Sequence, residues 1–236
     1  MGIITFNGVS SDTLGLRVER FPGIVRSQKK IDVFSVPGRN RDIILDEFAA
    51  MDYIQSYEIY AGTGAKGSVN SAFDAIADWL LGSTGYCRLE DDYDSNHYRL
   101  AYFTGPIEVE NILSRFGKCT IQFTCGPQRY LKSGETLVSL SGSDTINNPT
   151  PYTAHPIITV YGSGSGTLTC GGNTLTISTI TNEMIVDCED MRAYKGTTNL
   201  NGVISGDFPQ LVAGNNTFSF TGGVTSVSVK PNTWRL

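Results

Sequence analysis

Ser71-Ala-Phe-Asp-Ala-Ile-Ala-Asp-Trp-Leu-Leu81 is the segment that decides the fold, because it alone has the periodicity of an α-helix. Its apolar side chains recur at i, i+3, i+4 and i+7 and so share one face, namely Phe73, Ile76, Ala77 and Leu80. Ser71 is a suitable N-cap, and Gly82 marks the end of the helix. About ten residues do not form a stable helix alone in water. The sequence therefore predicts one helix that is stable only when it packs on a sheet.

The remainder of the chain has the pattern of β-strands. Cys119-Thr-Ile-Gln-Phe-Thr-Cys125 alternates apolar and polar residues, which indicates a strand with one buried face. Turn-forming residues between strand-like runs predict two hairpins, at Pro37-Gly-Arg-Asn40 and at Gly171-Gly172. In the second half we expect six separate short strands, at 157–161, 166–170, 174–177, 184–188, 217–221 and 224–229. The predicted fold class is all-β with one helix.

The composition changes near residue 133. Residues 1–133 contain 14 Lys and Arg and 16 Asp and Glu, whereas residues 134–236 contain 4 and 7. Glycine, serine, threonine and asparagine replace the charged residues there, and the stretch 141–151 is rich in turn formers. We therefore expect two β domains, 1–133 and 134–236. The short strands and Gly/Asn turns of the second domain are typical of a β-sandwich.

Charge and cysteine content restrict the class of protein. The net charge of −5 comes without a basic arm or stripe, which disfavours sequence-specific DNA binding. The five cysteines form no close-spaced pairs, which disfavours a disulfide framework or a zinc site. The N-terminus lacks the pattern of a signal peptide, and no apolar run is long enough to span a membrane. We expect a soluble protein that is made in a reducing cytoplasm and does not associate with membranes.

One glycine-rich motif imitates a nucleotide site. Gly62-Thr-Gly-Ala-Lys-Gly67 matches GxGxxG and lies between a predicted strand and the helix. The preceding strand contains Gln55 and Glu58, so we expect one of its faces to be exposed to solvent. A strand of a dinucleotide-binding sheet is instead apolar on both faces. Such a fold also needs several helices. We interpret the motif as a plain loop.

Asp92-Tyr-Asp-Ser-Asn96 imitates the start of a calcium loop. The sixth position, which should be glycine, is His97, and the twelfth, which should be glutamate, is Phe103. We expect a solvated hairpin tip here. A weak calcium site assembled with a neighbouring chain is the alternative.

Residues with catalytic chemistry do not form a recognisable set. Asp187, Glu189 and Asp190 are clustered as in a glycosidase, but we expect Asp187 and Glu189 to mark the solvent face of a strand. Trp79 and Trp234 are each a possible platform for a sugar, and packing is the simpler interpretation. The sequence contains no Gly-x-Ser-x-Gly and no His-Glu-x-x-His. We expect no enzymatic activity, no cofactor and no metal.

Several short segments together resemble the distal tail proteins of long-tailed siphophages, in order and in spacing along the whole chain. They are Ile4-Thr-Phe-Asn-Gly8, Leu14-Gly-Leu16, Val36-Pro-Gly-Arg-Asn40, Phe123-Thr-Cys-Gly-Pro-Gln-Arg-Tyr-Leu131, His155-Pro-Ile-Ile-Thr-Val160, Ile185-Val-Asp-Cys-Glu189, Phe208-Pro-Gln-Leu211, Gly214-Asn215 and Pro231-Asn-Thr-Trp-Arg235. Each segment alone is a weak signal.

The resemblance implies an N-terminal tail-tube-like β-sandwich and a C-terminal galectin-like β-sandwich. It also implies a homohexameric ring at the tail tip of the virion, between the tail-tube protein and the tail-associated hub protein, with receptor-binding or side-fibre proteins attached outside. DNA would pass through the ring without specific binding. Galectins bind sugar through a His-x-Asn-x-Arg strand that this sequence lacks, so the second domain is expected to be a docking scaffold.

Two sets of residues are candidates for roles in such a ring. The hairpin around residues 31–46 is a candidate for contact with a neighbouring copy, through Val36, Pro37, Gly38, Arg39, Asn40 and Arg41. An acidic tip is a candidate lining for the channel, because it would repel phosphate, through Glu90, Asp91, Asp92 and Asp94.

Two other functions are compatible with the sequence. A carbohydrate-binding β-sandwich module for host adsorption would bind glycans and remain monomeric. A tail-tube subunit would stack into long tubes instead of stopping at one ring.

Overall fold

The chain forms two compact units, Met1–Arg129 with Leu236 and Tyr130–Arg235. The computed structural model describes residues 2–20, 22–62, 69–106, 109–113 and 116–236. Within these residues the protein is all-β with a single α-helix, which confirms the predicted fold class. None of the described residues belongs to a helix with the length and hydrophobicity needed to cross a bilayer.

In the part of the chain that the structure describes, the first unit contains ten strands, of which the last continues into the second unit, and one helix. They are β1 (Ile4–Phe6), β2 (Val9–Ser10), β3 (Leu16–Val18), β4 (Lys29–Phe34), β5 (Ile43–Ala50), β6 (Tyr53–Gly62), α1 (Val69–Leu81), β7 (Cys87–Asp91), β8 (His97–Tyr102), β9 (Val109–Leu113) and β10 (Phe116–Leu131). Short 3₁₀ turns lie at Ser11–Leu14 and Asp92–Asp94.

Most strands of the first unit belong to one curved sheet in the order β2-β1-β7-β8-β10-β6-β3, with β9 also paired to β10. Gly2, just before β1, forms an antiparallel bridge with Val18 at the far end of the sheet. The sheet therefore curls round its core. Strands β4 and β5 form a separate two-stranded sheet.

Helix α1 packs on this core as its periodicity predicts. The side chains of Ile76 and Leu80 are fully buried among those of the sheet, whereas Asp74 and Asp78 are exposed. The helix ends at Leu81, as predicted, but it begins at Val69 and not at Ser71. The prediction for Phe73 concerns a side chain outside the described part of the structure.

Strand β10 alternates as predicted, because Cys119, Ile121, Phe123 and Cys125 are all buried. The prediction for β6 is wrong at Gln55, which is only 3% exposed and lies on the inward face opposite Phe123. Gln55 Nε2 donates to the carbonyl of Gly23 at 3.1 Å, which satisfies the buried amide. Ile54, one residue earlier, is 54% exposed because successive side chains of a strand point to opposite faces.

The second unit is built around three long strands. After the end of β10, its strands are β11 (Val138–Leu140), β12 (Asp144–Asn148), β13 (Ile157–Cys170), β14 (Asn173–Asp187), β15 (Arg192–Lys195), β16 (Thr198–Asn199), β17 (Ile204–Gly206), β18 (Gly214–Lys230) and β19 (Trp234–Arg235). Short 3₁₀ turns lie at Lys132–Glu135 and Asn201–Val203.

The six short strands that the sequence predicts are three continuous strands, β13, β14 and β18, which pair in the order β18-β13-β14. The hairpin at Gly171-Gly172 is confirmed, and both glycines have positive φ, as a tight hairpin turn requires. Each of the two outer long strands has different outer neighbours at its two ends: β11 and β12 for β18, and β15 and β17 for β14.

The glycines expected to be turns inside these strands are instead irregularities in the pairing. The register of β13 against β18 shifts between Tyr161 and Gly162 and again before Gly166. A Cβ at Gly162 would collide with the carbonyl oxygen of Gly223, and a Cβ at Gly223 with that of Ser163. The strands can therefore continue through this region because the two backbones approach too closely for any side chain.

Candidate interaction surfaces

Strands β4 and β5, with the turn between them, form a hairpin arm (residues 29–50) that contributes little to the core. All six residues of β4 and six of the eight in β5 are exposed. Opposite residues of an antiparallel pair share a face. One face therefore carries Phe34, Ile43 and Leu45, and the other carries Val33 and Ile44.

Both faces of the hairpin arm thus carry apolar side chains that are solvent-accessible in the single chain. Phe34 is 53% exposed, Leu45 55% and Ile44 66%. A two-stranded hairpin is only marginally stable by itself in water. Contiguous exposed apolar surface of this kind marks a site of interaction with another molecule.

The tip of the hairpin arm (residues 36–41) presents the six residues that the sequence suggested for contact with a neighbouring copy. All six are exposed, and the turn is closed by the Arg39 amide, which donates to the carbonyl of Val36 at 3.1 Å. Gly38 has φ 81°, which a residue with a side chain rarely adopts. Neither Arg39 nor Arg41 makes an ion pair with any residue that the structure describes. Their role in contact between copies stays a prediction.

A bulge in β5 presents an aromatic side chain that the sequence analysis missed. The register shifts between Lys30 and Ile31, and Phe48 is left without an opposite residue, with φ 55° and 95% of its surface exposed. The Phe48 amide donates to Asp46 Oδ1 at 2.8 Å, and this bond, followed by the one from Lys29, lowers the pKa of Asp46. The alternating pattern of the sequence contains no signal for such a bulge.

The acidic segment Glu90–Asp94, which contains the candidate channel lining, is partly built into the first unit. Asp91 is only 5% exposed, and one carboxylate oxygen accepts the amides of the second and third residues that follow it, which caps the turn Asp92–Asp94. The other oxygen accepts the Tyr57 hydroxyl at 2.7 Å and Arg99 Nη1 at 2.9 Å. Asp91 is therefore buried and does not line an open surface, because its partners lie on other strands.

Asp94 belongs to the same network of charges. Its carboxylate accepts Arg129 Nη1 at 2.6 Å and Arg99 Nη2 at 3.1 Å, and it lies 2.7 Å from His97 Nδ1. Burial raises the pKa of Asp94, but the hydrogen bonds from Arg129 and His97 outweigh it, so that the pKa is below its ordinary value. Burial also opposes the charge of Arg99, yet the surrounding tyrosines and carboxylates hold its pKa above the ordinary value.

These pairings change the expectation for the channel lining. The charges of Asp91 and Asp94 are balanced by arginines within the unit, so the physical reason for placing these two along a channel no longer applies. Glu90 pairs with Arg88, and exposed Asp92 accepts the Ile3 amide at 2.9 Å. A channel-facing position stays a prediction for Glu90 and Asp92.

In the calcium-like loop, residues 92–96, the carboxylates of Asp92 and Asp94 already accept hydrogen bonds from other residues of the chain. The guanidinium groups of Arg99 and Arg129 lie on Asp94, where they would repel a cation. Over the described ranges, no group of three or more His, Cys, Asp or Glu side chains could hold a metal ion.

The other candidate motifs have structural explanations where the structure describes them. Asp187 ends β14, is 7% exposed and accepts the amides of Glu189 and Asp190 at 3.2 Å, so its predicted solvent-facing position is wrong. Trp79 Nε1 donates to the carbonyl of Phe6 at 3.0 Å. The indole of Trp234 stacks on Tyr152, with 4.6 Å between ring centroids. The glycine-rich motif at 62–67 lies outside the described residues except for Gly62.

The fold is similar over its whole length to that of known phage proteins. The structure matches the Dit protein of phage SPP1, described as a paradigm of the hub adsorption apparatus in phages that infect Gram-positive bacteria, with a TM-score of 0.75 and 15% identity over 100% of both chains. This confirms the resemblance in fold that the sequence segments indicated.

Two chains from the baseplate of phage p2 in its activated conformation are also similar. The match to the structure with strontium has a TM-score of 0.56 and 9% identity, and covers 100% of this chain and 97% of the other. The match to the structure with calcium has a TM-score of 0.52 and 10% identity, and covers 91% and 90%. Neither a protein-family model nor the sequence of a curated protein matches the chain.

Proposed function

We propose that the protein is the structural hub of a bacteriophage tail tip. Six copies form a ring that joins the tail-tube protein to the tail-associated hub protein and to the receptor-binding or side-fibre proteins, and that leaves a channel for DNA. The observation that carries this proposal is the likeness of fold to the SPP1 Dit protein over the full length of both chains. A match that spans both units of this chain is more specific than a match to one unit alone.

The mechanism is geometric and needs no catalysis. In this proposal residues 1–133 are a tail-tube-like domain that forms the ring, and residues 134–236 are a galectin-like domain on which other tail proteins dock. The hairpin arm supports an assembly, because burying its two apolar faces against neighbouring copies would gain about 25 cal/mol per Å² of apolar surface. A head-to-tail contact that closes satisfies every copy and leaves no open end.

The size and shape of the purified protein test this proposal. We expect light scattering to give the mass of six 25.6 kDa chains and negative-stain images to show rings with a central opening. A monomer at all concentrations would contradict the ring. Long tubes would instead indicate a tail-tube subunit, and a monomer that binds sugars on a glycan array would indicate a carbohydrate-binding module.

The position in the virion is tested separately. Antibodies raised against the protein should label one end of the tail, at the tip that contacts the host. Labelling along the whole tail would contradict the role of a hub.

A further inference from the structure

The tip of the hairpin arm combines positive charge with apolar surface. Arg39 and Arg41 are exposed and make no ion pair among the residues that the structure describes. Val36, at the beginning of the turn, is 38% exposed, and Phe34, two residues earlier, is 53% exposed. The tip therefore suits a surface that offers carboxylates beside an apolar side chain.

Helix α1 carries such a surface on its outer side. Asp74, Asp78 and Leu81 occur at i, i+4 and i+7, so they form one stripe, and all three are exposed, Leu81 by 59%. Asp74 and Asp78 make no ion pair with another described residue. Two like charges at i and i+4 destabilise a helix slightly, and no cation among the described residues relieves this repulsion.

We propose that the tip of the hairpin arm in one copy docks on the outer stripe of α1 in the next copy, with Arg39 and Arg41 paired to Asp74 and Asp78. This inference rests on the proposed ring and specifies which surfaces meet in it. The two surfaces are different, so the contact is head-to-tail, as a closed ring of identical copies requires.

The spacing of the charges is compatible with this pairing. Asp74 and Asp78 are about 6 Å apart along the helix axis, at 1.5 Å per residue. Arg39 and Arg41 are at most about 7 Å apart, the span of two extended residues. Each long arginine side chain can therefore reach one carboxylate. Exposed ion pairs contribute little by themselves, so the apolar contact supplies affinity and the charges supply register.

Two complementary variants test the contact in the full chain. The first reverses the tip with Arg39→Glu and Arg41→Glu, and the second reverses the helix with Asp74→Lys and Asp78→Lys. Each variant alone brings like charges together, so we expect the concentration needed for assembly to rise more than about tenfold. Light scattering over a dilution series measures this concentration, and circular dichroism establishes that both variants are folded.

An equimolar mixture of the two variants should assemble again. The reversed tip of the first variant faces the reversed helix of the second, and the unchanged tip of the second faces the unchanged helix of the first. Alternating copies satisfy every contact in a ring with an even number of subunits. Glu183→Lys with Asp207→Lys, a matched change of two exposed acids in the second unit, should leave assembly as in the unaltered protein.

The outcomes separate this inference from the proposed function. If both variants form rings at wild-type concentrations, or if the folded variants fail to assemble in the mixture, the pairing is overturned while the ring of the unaltered protein stands. If the unaltered protein forms no ring, the proposed function and this inference both fail.

Discussion

At the scale of single residues, a buried network of charged and polar side chains in the first unit joins residues from separate strands. Arg99 is 4% exposed and bonds to Asp91, Asp94 and Tyr53. A buried guanidinium is stable only when its donors are satisfied, and removing one partner leaves an uncompensated charge. These groups consequently behave as part of the core.

Asp94 should make the stability of the first unit depend on pH. Its pKa is lower in the folded protein than in the unfolded chain, so the unfolded chain takes up the proton first as pH falls. The stabilisation is therefore present at neutral pH and is lost as pH falls below about 4, the unfolded value. We expect Asp94→Asn to lower the free energy of unfolding by about 2 kcal/mol at pH 7. Urea unfolding at pH 7 and at lower pH should show this difference shrinking with acidity.

Asp92→Asn provides the control for that measurement, because Asp92 is exposed and its carboxylate accepts only the Ile3 amide among the described residues. Its effect should stay within about 1 kcal/mol. An Asp94→Asn difference that is constant across the pH range would contradict the assigned ion pairs.

At the scale of elements, glycine determines whether the long strands of the second unit exist. At Gly162 and Gly223 the carbonyl groups of the opposite strand occupy the space that a side chain would need. Short strands separated by turns would need no such approach. The close contact lets β13 and β18 stay paired past an irregularity, and β18 changes its outer neighbour along its length.

Gly223→Ala should therefore strongly destabilise the second unit. The added methyl group collides with the backbone carbonyl of Ser163, which cannot rotate away as a side chain would. We expect a loss of more than about 2 kcal/mol in chemical unfolding. Gly142→Ala, where a Cβ meets nothing within 4 Å, is the matched control and should change stability by less than about 1 kcal/mol. Equal effects of the two substitutions would contradict the close approach.

At the scale of the whole molecule, the hairpin arm is the part of the chain whose apolar surface remains unburied in a single copy. Its two faces are apolar and exposed, and its bulge holds Phe48 in solvent at positive φ. A bulky residue in that conformation costs about 1–2 kcal/mol. A partner that buries Phe48 would offset this cost through the apolar surface removed from water.

Hydrogen exchange should report whether the hairpin arm is covered. Amides of β4 and β5 should exchange rapidly below the concentration of assembly, because few tertiary contacts support them, and at least about tenfold more slowly above it. Peptides from β10 should be protected in both conditions, since this strand is central in its sheet. Mass spectrometry at two concentrations makes the comparison, and equal exchange of β4 and β5 in both would indicate that copies meet elsewhere.

The sequence by itself determined the features that depend on local periodicity. It predicted the buried face of α1 at Ile76 and Leu80, the alternation of β10 from Cys119 to Cys125, and the hairpin turn at Gly171-Gly172. These follow from how a backbone of given period directs successive side chains. The order of short segments also indicated the fold that the SPP1 protein shares.

Only the tertiary structure decided which polar side chains are buried. Asp91 and Gln55 look solvent-facing in the sequence, but their partners Tyr57 and Gly23 lie about thirty residues away, at separations of 34 and 32. A local pattern cannot show whether a distant donor arrives to offset the cost of burial. The same holds for Gly223, because a glycine that permits a close approach and one that makes a turn are identical until the opposite strand is in place.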